Sequence, residues 1–253
     1  MRVSDEDYTK YENLSYQKFR ELARSDDLSR HQKVGFPNEY REGKEKAIFR
    51  DILEKLPIAH ADNLNVLDIG PGCSNLPLML ADVCQVHGHS LFMIDSEEML
   101  EHIPVRPFLK KIVGRFPEVP DFLSKQVGKM NMILAYSVIQ YPFEEGGFWA
   151  FFDQALSLMS DGASFLIGDI PNSSMRKRFF SSEQGVRFHQ QYTGRKDRPD
   201  VHFNSLDSGL IDDSIVLAML ARARAAGFHA WVVRQSEDLP MANRREDVLI
   251  YKP

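Results

Sequence analysis

Val66-Leu67-Asp68-Ile69-Gly70-Pro71-Gly72-Cys73-Ser74-Asn75-Leu76 decides how the rest of the chain is read. A short apolar run containing one acid meets two glycines, and a helical pattern then opens at Leu76. Glycine suits such a place because the chain turns sharply and a ligand can approach the bare backbone. The first N–H groups of the following helix have no partner within the helix and face whatever lies above it. Gly70 is followed 25 residues later by Asp95, which closes the run Leu91-Phe92-Met93-Ile94. An acid at the tip of a second strand accepts hydrogen bonds from ribose hydroxyls.

The flanking chain alternates between the two periods. Strands are predicted at Val66–Ile69, Leu91–Ile94, Lys110–Gly114, Met130–Ala135, Ala163–Ile167, Ala230–Val233 and Val248–Tyr251. Helices are predicted at Glu39–Leu56, Leu76–Val86, from Ser96 to Glu101, Phe148–Met159 and Asp213–Ala226. Ala47, Ile48, Ile52, Leu53 and Leu56 carry the i, i+3/i+4 spacing of the first of these. Strands alternating with helices predict an α/β fold, a mostly parallel sheet with helices on both faces. Residues 1–30 are charged and helix-prone and are read as one or two helices outside the sheet. Residues 171–212 show no clean period, a connection far longer than the usual two to six residues.

The 253 residues suit one large α/β domain. An apolar fraction of 43% and a charged fraction of 26% are ordinary for a globular chain with a sizeable core. The net charge of -5 speaks against a nucleic-acid partner. Cys73 and Cys84 have no metal-site spacing and are expected as free thiols in a reducing compartment. The polar, acidic start lacks an apolar targeting core, and no apolar run approaches membrane-span length, so a cytoplasmic protein without membrane attachment is expected.

The acid-x-Gly-x-Gly loop and the acid ending the second strand resemble the class I (Rossmann-like) S-adenosylmethionine-dependent methyltransferases. The resemblance covers roughly residues 45–253 and is best over 64–170. It implies a seven-stranded, mostly parallel sheet whose last hairpin supplies one antiparallel strand. It also implies S-adenosylmethionine as cofactor and S-adenosylhomocysteine as product. By it Asp68 lies near the methionine ammonium, Gly70, Pro71 and Gly72 let the cofactor approach, and Asp95, followed by Ser96, binds the ribose diol. Two positions depart from the family pattern. Ser74 replaces a third glycine, and Arg115 stands where many members carry an acid after the third strand. Adenine recognition is therefore assigned to the groups around Gly114, Arg115 and Phe116. The chain is divided into an N-terminal helical cap, 1–44, and a methyltransferase domain, 45–253, with a lid inserted at 172–212.

Loops after the first and fourth strands flank the switch point where ligands bind in open α/β sheets. Tyr136, Ser137, Gln140 and Tyr141 are thus expected to line the cofactor and the acceptor. Asp169, at the carboxyl end of the fifth strand, is a candidate general base, and His189 in the inserted segment is another; Tyr136 completes the catalytic candidates. Phe36, Tyr40 and Arg41 are candidates to close the pocket, with Arg41 near the cofactor carboxylate. Residues 172–203 hold seven cations, Arg176, Lys177, Arg178, Arg187, Arg195, Lys196 and Arg198, against Glu183, Asp197 and Asp200. Such a surplus suits a small anionic acceptor, and a hydroxyl on a sugar or nucleotide-linked sugar in glycan synthesis is the expectation. No metal is expected, since Asp169 alone does not make a cluster of acids. Two rivals remain at this point. A nicotinamide dehydrogenase expects a further glycine at position 75, where Asn75 stands, and Asp68 would repel a pyrophosphate. The other is a protein that binds the cofactor without chemistry.

Overall fold

The computed structural model describes residues 14–37, 41–205 and 207–253. Within them lies one seven-stranded sheet. Its strands are β1 (Asn65–Ile69), β2 (Ser90–Asp95), β3 (Leu109–Val113), β4 (Met130–Tyr136), β5 (Met159–Pro171), β6 (His229–Val233) and β7 (Arg245–Tyr251). Their order is β3-β2-β1-β4-β5-β7-β6. Every pairing is parallel except those of β7, which runs antiparallel to β5 and β6. The order turns at β1, so the loops after β1 and β4 diverge and leave a crevice at their carboxyl ends.

Side chains alternate along each strand, and both faces are covered, so the central strands are apolar on both sides. Leu67, Ile69, Ile133, Ala135, Phe165 and Ile167 pack in one core with α8 (Phe148–Leu158) and α11 (Asp213–Ala225). Val66, Leu91, Met93, Leu134 and Leu166 pack in the other with α3 (Glu45–Lys55) and α4 (Leu76–Val86). Asp68 shares the alternation of Val66 and so points toward the α3/α4 side.

Several boundaries differ from the sequence reading. The helix expected over Glu39–Leu56 runs Glu45–Lys55. Gly43 sits at φ +73°, a left-handed turn that breaks helical continuity; Glu39 lies outside the described residues. β5 runs past Ile167 to Pro171, with its register on β7 shifting between Ile167 and Ile170. The segment without a clean period, expected as an inserted lid, holds α9 (Ser173–Ser181) and α10 (Glu183–Thr193). Asn172 and Ser182 cap their starts with side-chain oxygens, and Gly194 at φ +68° ends the second. Two further helices, α6 (Pro120–Gln126) and α7 (Gln140–Glu144), join the β3–β4 and β4–α8 connections, and α5 is Glu97–Glu101. Before α3, α1 (Tyr16–Arg24) and α2 (Arg30–Lys33) lie over the β1 and β2 loops. Arg20 and Arg24 reach Glu98 of α5 at 2.9 and 2.5 Å. Residues 1–13 of the helical start read from the sequence, and Tyr40, lie outside the described residues.

Candidate functional site

The crevice opens above the carboxyl ends of β1, β2 and β4 and encloses about 1100 Å³ including its mouth. Its floor is the β1 loop. Gly70 and Gly72 sit at φ +70° and +64°. A β-carbon on Gly70 would stand 2.7 Å from Val138 Cγ2, and one on Gly72 2.6 Å from Val34 Cγ1. Both conformation and crowding thus demand glycine. Ser74 is not among the residues with positive φ, so a side chain costs nothing there.

Asp95 ties the floor together. Its Oδ2 accepts the Gly72 N–H at 2.9 Å, and its Oδ1 accepts the Ser96 N–H at 2.7 Å. Its own carbonyl accepts the Gly114 N–H at 3.0 Å, which fixes the β3 end. Burial pushes the Asp95 carboxyl up to about 6, with these two N–H groups pulling the other way. Asp68 is pushed further, to about 8, by burial and then by Asp95.

The N-terminal segment forms the roof. Tyr16, Phe19, His31, Val34, Phe36, Arg41 and Glu45 all line the crevice. The Phe19 ring meets Tyr141 edge-on at 4.9 Å, closing the gap between α1 and α7. His31 Nε2 lies 3.0 Å from Glu45 Oε1. The same oxygen accepts from Asn75 Nδ2 at 3.2 Å, and Asn75 Oδ1 accepts from Arg30 at 3.2 Å. A capping box between Ser29 and Gln32 holds α2 in place.

The β4–β5 end is a buried ionic cluster. Arg41 Nη2 donates to Ser137 Oγ at 2.6 Å and to Asp169 Oδ2 at 2.8 Å. Ser137 Oγ also bonds Asp169 Oδ2. Arg245 Nη1 donates to Asp169 Oδ2 at 3.1 Å and to its carbonyl at 2.9 Å. Gln235 Nε2 lies 3.5 Å from Asp169 Oδ1, and the Asp169 N–H donates to Asp247. Asp169 and Ser137 both sit at φ +60°. Tyr136 packs flat enough on Gly168 that a β-carbon there would stand 2.3 Å from its ring. Burial lifts the Tyr136 hydroxyl well above its ordinary range and that of Tyr141 up to about 12.

A second cleft, about 1520 Å³ with its mouth, lies beyond α7 under α9 and α10. Arg176, Lys177, His189, Arg244 and Arg245 line it with Phe143, Glu144 and Phe180. The Arg176 guanidinium stacks on Phe180 at 5.1 Å and has no carboxylate partner among the described residues. Lys177 is held by Asp207 at 2.8 Å. His189 Nε2 and Gln140 Oε1 are buried there without a hydrogen-bond partner.

The sequence candidates therefore divide. Gly70, Pro71, Gly72, Asp95, Arg115, Phe116, Tyr136, Ser137 and Tyr141 line the first cleft. Asp68, expected near the methionine ammonium, stands instead behind the cleft wall, facing the α3/α4 side, where burial raises the Cys84 thiol and the Asp68 charge adds to that. Ser96 caps α5 through the Met99 N–H. Asp169 lies in the ionic cluster between the clefts, and His189 belongs to the second. Arg115 is paired with Glu145. His31, Glu45, Gln235 and Arg245 did not stand out in the sequence. Among the described residues no group of three His, Cys, Asp or Glu is placed to hold a metal, and no helix is long and apolar enough to cross a membrane.

No protein-family model and no curated protein sequence matches the chain. Solved structures do. A protein from Listeria monocytogenes described as an S-adenosylmethionine dependent methyltransferase superposes with a TM-score of 0.55 at 18% identity, over 83% of this chain and 98% of its own. The N-methyltransferase NodS from Bradyrhizobium japonicum, in complex with S-adenosylhomocysteine, gives 0.55 at 12% identity, over 94% and 98%. The plantazolicin methyltransferase BpumL, bound to a monoazolic analogue and S-adenosylhomocysteine, gives 0.55 at 14%, over 94% and 96%. The fold is that of the class I S-adenosylmethionine-dependent methyltransferases.

Proposed function

We propose that this chain transfers a methyl group from S-adenosylmethionine to a small-molecule acceptor. The observation carrying this reading is the Asp95 carboxylate, held by two backbone N–H groups at the edge of a cleft floored by two obligatory glycines. Its remaining lone pairs suit a ribose diol. Ile94, Met99 and Phe116 offer an apolar bed for adenine beside Gly114 and Arg115. The cofactor's amino-acid end then falls toward β4 and the N-terminal roof.

Once bound, S-adenosylmethionine supplies a methyl group already activated on a sulfonium sulfur. The protein's part is positioning and exclusion of water. The edge contact of Phe19 with Tyr141 and the stacking of Phe36 on Arg41 at 4.0 Å serve exclusion. Tyr136, Ser137 and Tyr141 border the methyl end. Asp169 already receives bonds from Arg41, Ser137 and Arg245, so we assign it to holding that end rather than to proton removal. His189, in the second cleft with its Nε2 atom buried and 3.9 Å from Asp197, is the better candidate general base for a hydroxyl acceptor.

The acceptor's class is read from the second cleft, where Arg176 stacked on Phe180 favours an anionic group. A hydroxyl of a sugar phosphate or nucleotide-linked sugar fits this reading. NodS is described as an N-methyltransferase and BpumL as a plantazolicin methyltransferase, so the fold alone does not choose the acceptor. The buried free thiols Cys73 and Cys84 are in keeping with a reducing cytoplasm.

Calorimetric titration of S-adenosylhomocysteine into the protein and its Asp95→Ala variant tests the cofactor. Micromolar binding weakened about tenfold or more, ~1.4 kcal/mol, is expected. A folded protein that binds neither S-adenosylmethionine nor S-adenosylhomocysteine overturns it. Radiolabelled methyl transfer to sugar phosphates and nucleotide sugars then tests the acceptor; transfer only to uncharged acceptors overturns the anionic reading.

A further inference from the structure

His31 is a buried histidine with one satisfied nitrogen. It is 9% exposed and its Nε2 faces Glu45 Oε1 at 3.0 Å. A carboxylate at Nε2 selects the tautomer with its proton there, which leaves a bare lone pair at Nδ1. That atom is buried, has no hydrogen-bond partner, and belongs to a residue lining the first cleft. A buried acceptor left unmet costs free energy, so a ligand bringing N–H donors gains by meeting it. The carboxylate behind the ring makes the spot attractive to a cation.

The other acids offer no such place. Asp95 is engaged by backbone N–H groups at the β2 end, Glu145 is paired with Arg115, and Asp68 stands behind the wall. The complementary charge lies four residues earlier, before the Gly43 turn. Arg41 lines the same cleft, and a single nitrogen, Nη2, makes both its contacts to Ser137 and Asp169. Its Nε and Nη1 make no hydrogen bond to a described residue. An anion-backed imidazole and a half-committed guanidinium facing one cleft match a zwitterion.

We propose that the His31–Glu45 pair receives the α-ammonium of the cofactor's amino-acid tail, with Arg41 receiving its α-carboxylate. The ammonium donates to His31 Nδ1, and Glu45 holds the ring and its tautomer. This rests on the cofactor reading above. The N-terminal segment then recognises the ligand directly, while Asp68 stays behind the cleft wall.

The test uses the full chain and three probes: S-adenosylhomocysteine, the same molecule lacking its α-amino group, and 5′-methylthioadenosine, which lacks the whole tail. His31→Ala is expected to weaken S-adenosylhomocysteine by about tenfold or more, the size of one charge-assisted hydrogen bond. Its affinity for the desamino compound and for methylthioadenosine stays within about twofold of the parent protein's, well under the threshold for a lost hydrogen bond. Glu45→Gln, which keeps volume and the acceptor for Asn75, is expected to follow the same pattern. Equal weakening of all three probes means a damaged wall, and equal weakening of the first two means a carboxylate site; either overturns the proposal. So does unchanged S-adenosylhomocysteine binding in both variants. If the parent protein binds no probe, the cofactor reading falls and takes the proposal with it, a result distinct from the others.

Discussion

Replacing Asp169 separates a structural carboxylate from a catalytic one. Its side chain is 5% exposed and stands between Arg41 and Arg245, themselves 8% and 14% exposed. Asp169→Ala leaves two buried guanidinium groups with no carboxylate between them. Losing one partner of a buried ion pair costs ~3–5 kcal/mol. Asp169 already carries a β-carbon at φ +60°, so the backbone adds little to this loss. The expected loss is therefore about 3–5 kcal/mol, a drop in Tm of about 6 °C or more for a chain this long. Asp169→Asn keeps the side chain's volume and a hydrogen-bond acceptor for the two guanidinium groups and removes only charge, so it should lose less than alanine. Urea unfolding followed by circular dichroism measures both. In a double-mutant cycle, Arg41→Met should recover part of the Asp169→Ala loss, because one stranded charge is gone. Stability changes below about 1 kcal/mol in both Asp169 variants would refute this reasoning, since such values belong to exposed sites. If methyl transfer vanished at the same time, Asp169 would be the base after all.

Gly70→Ala meets Val138 at 2.7 Å while forcing φ +70° on a side chain; it should cost ~2–4 kcal/mol in urea unfolding from strain plus overpacking, and S-adenosylhomocysteine affinity should fall with it. The Asp95 carboxyl, raised by burial from 3.8 to about 6, gives a pH signature of two signs. The folded state holds that proton more tightly than the unfolded chain, so this group's contribution to stability improves as pH falls from about 6 toward 4. Cofactor affinity should run the other way, weakening as the carboxylate is neutralised below pH about 6, and calorimetry from pH 5 to 8 reads it.

The β1 loop and Asp95 were legible because their chemistry is local: a turn, two glycines and an acid at a strand tip. The sheet was legible because buried strands and amphipathic helices differ in period. α9 escaped because it buries no residue, so its sequence carries no apolar stripe, although Asn172 advertised a cap. The resemblance set Asp68 near the methionine ammonium, whereas its place on the same face as Val66, packed toward α3 and α4, puts it behind the cleft wall. Asp169 read as a free acid because its partners come from residues 41, 235 and 245, far away in the chain. His31 and Glu45 sit in a polar stretch without periodicity, and only folding brings them to one wall. Arg245 is an ordinary strand residue until β7 is paired with β5.

The short helix α7 has a thermodynamic consequence. Tyr141, Pro142 and Glu145 border the first cleft, and Gln140, Phe143 and Glu144 border the second. Residues of one short helix thus form part of the wall of both clefts, so any displacement of α7 would change the two walls together. Any factor by which an occupant of the first cleft changes affinity in the second must reappear, equal in size, when the order of filling is reversed. Kinetics can favour one order of arrival, but the coupling measured from either side is a single number, and α7 is the element in which its origin would be sought.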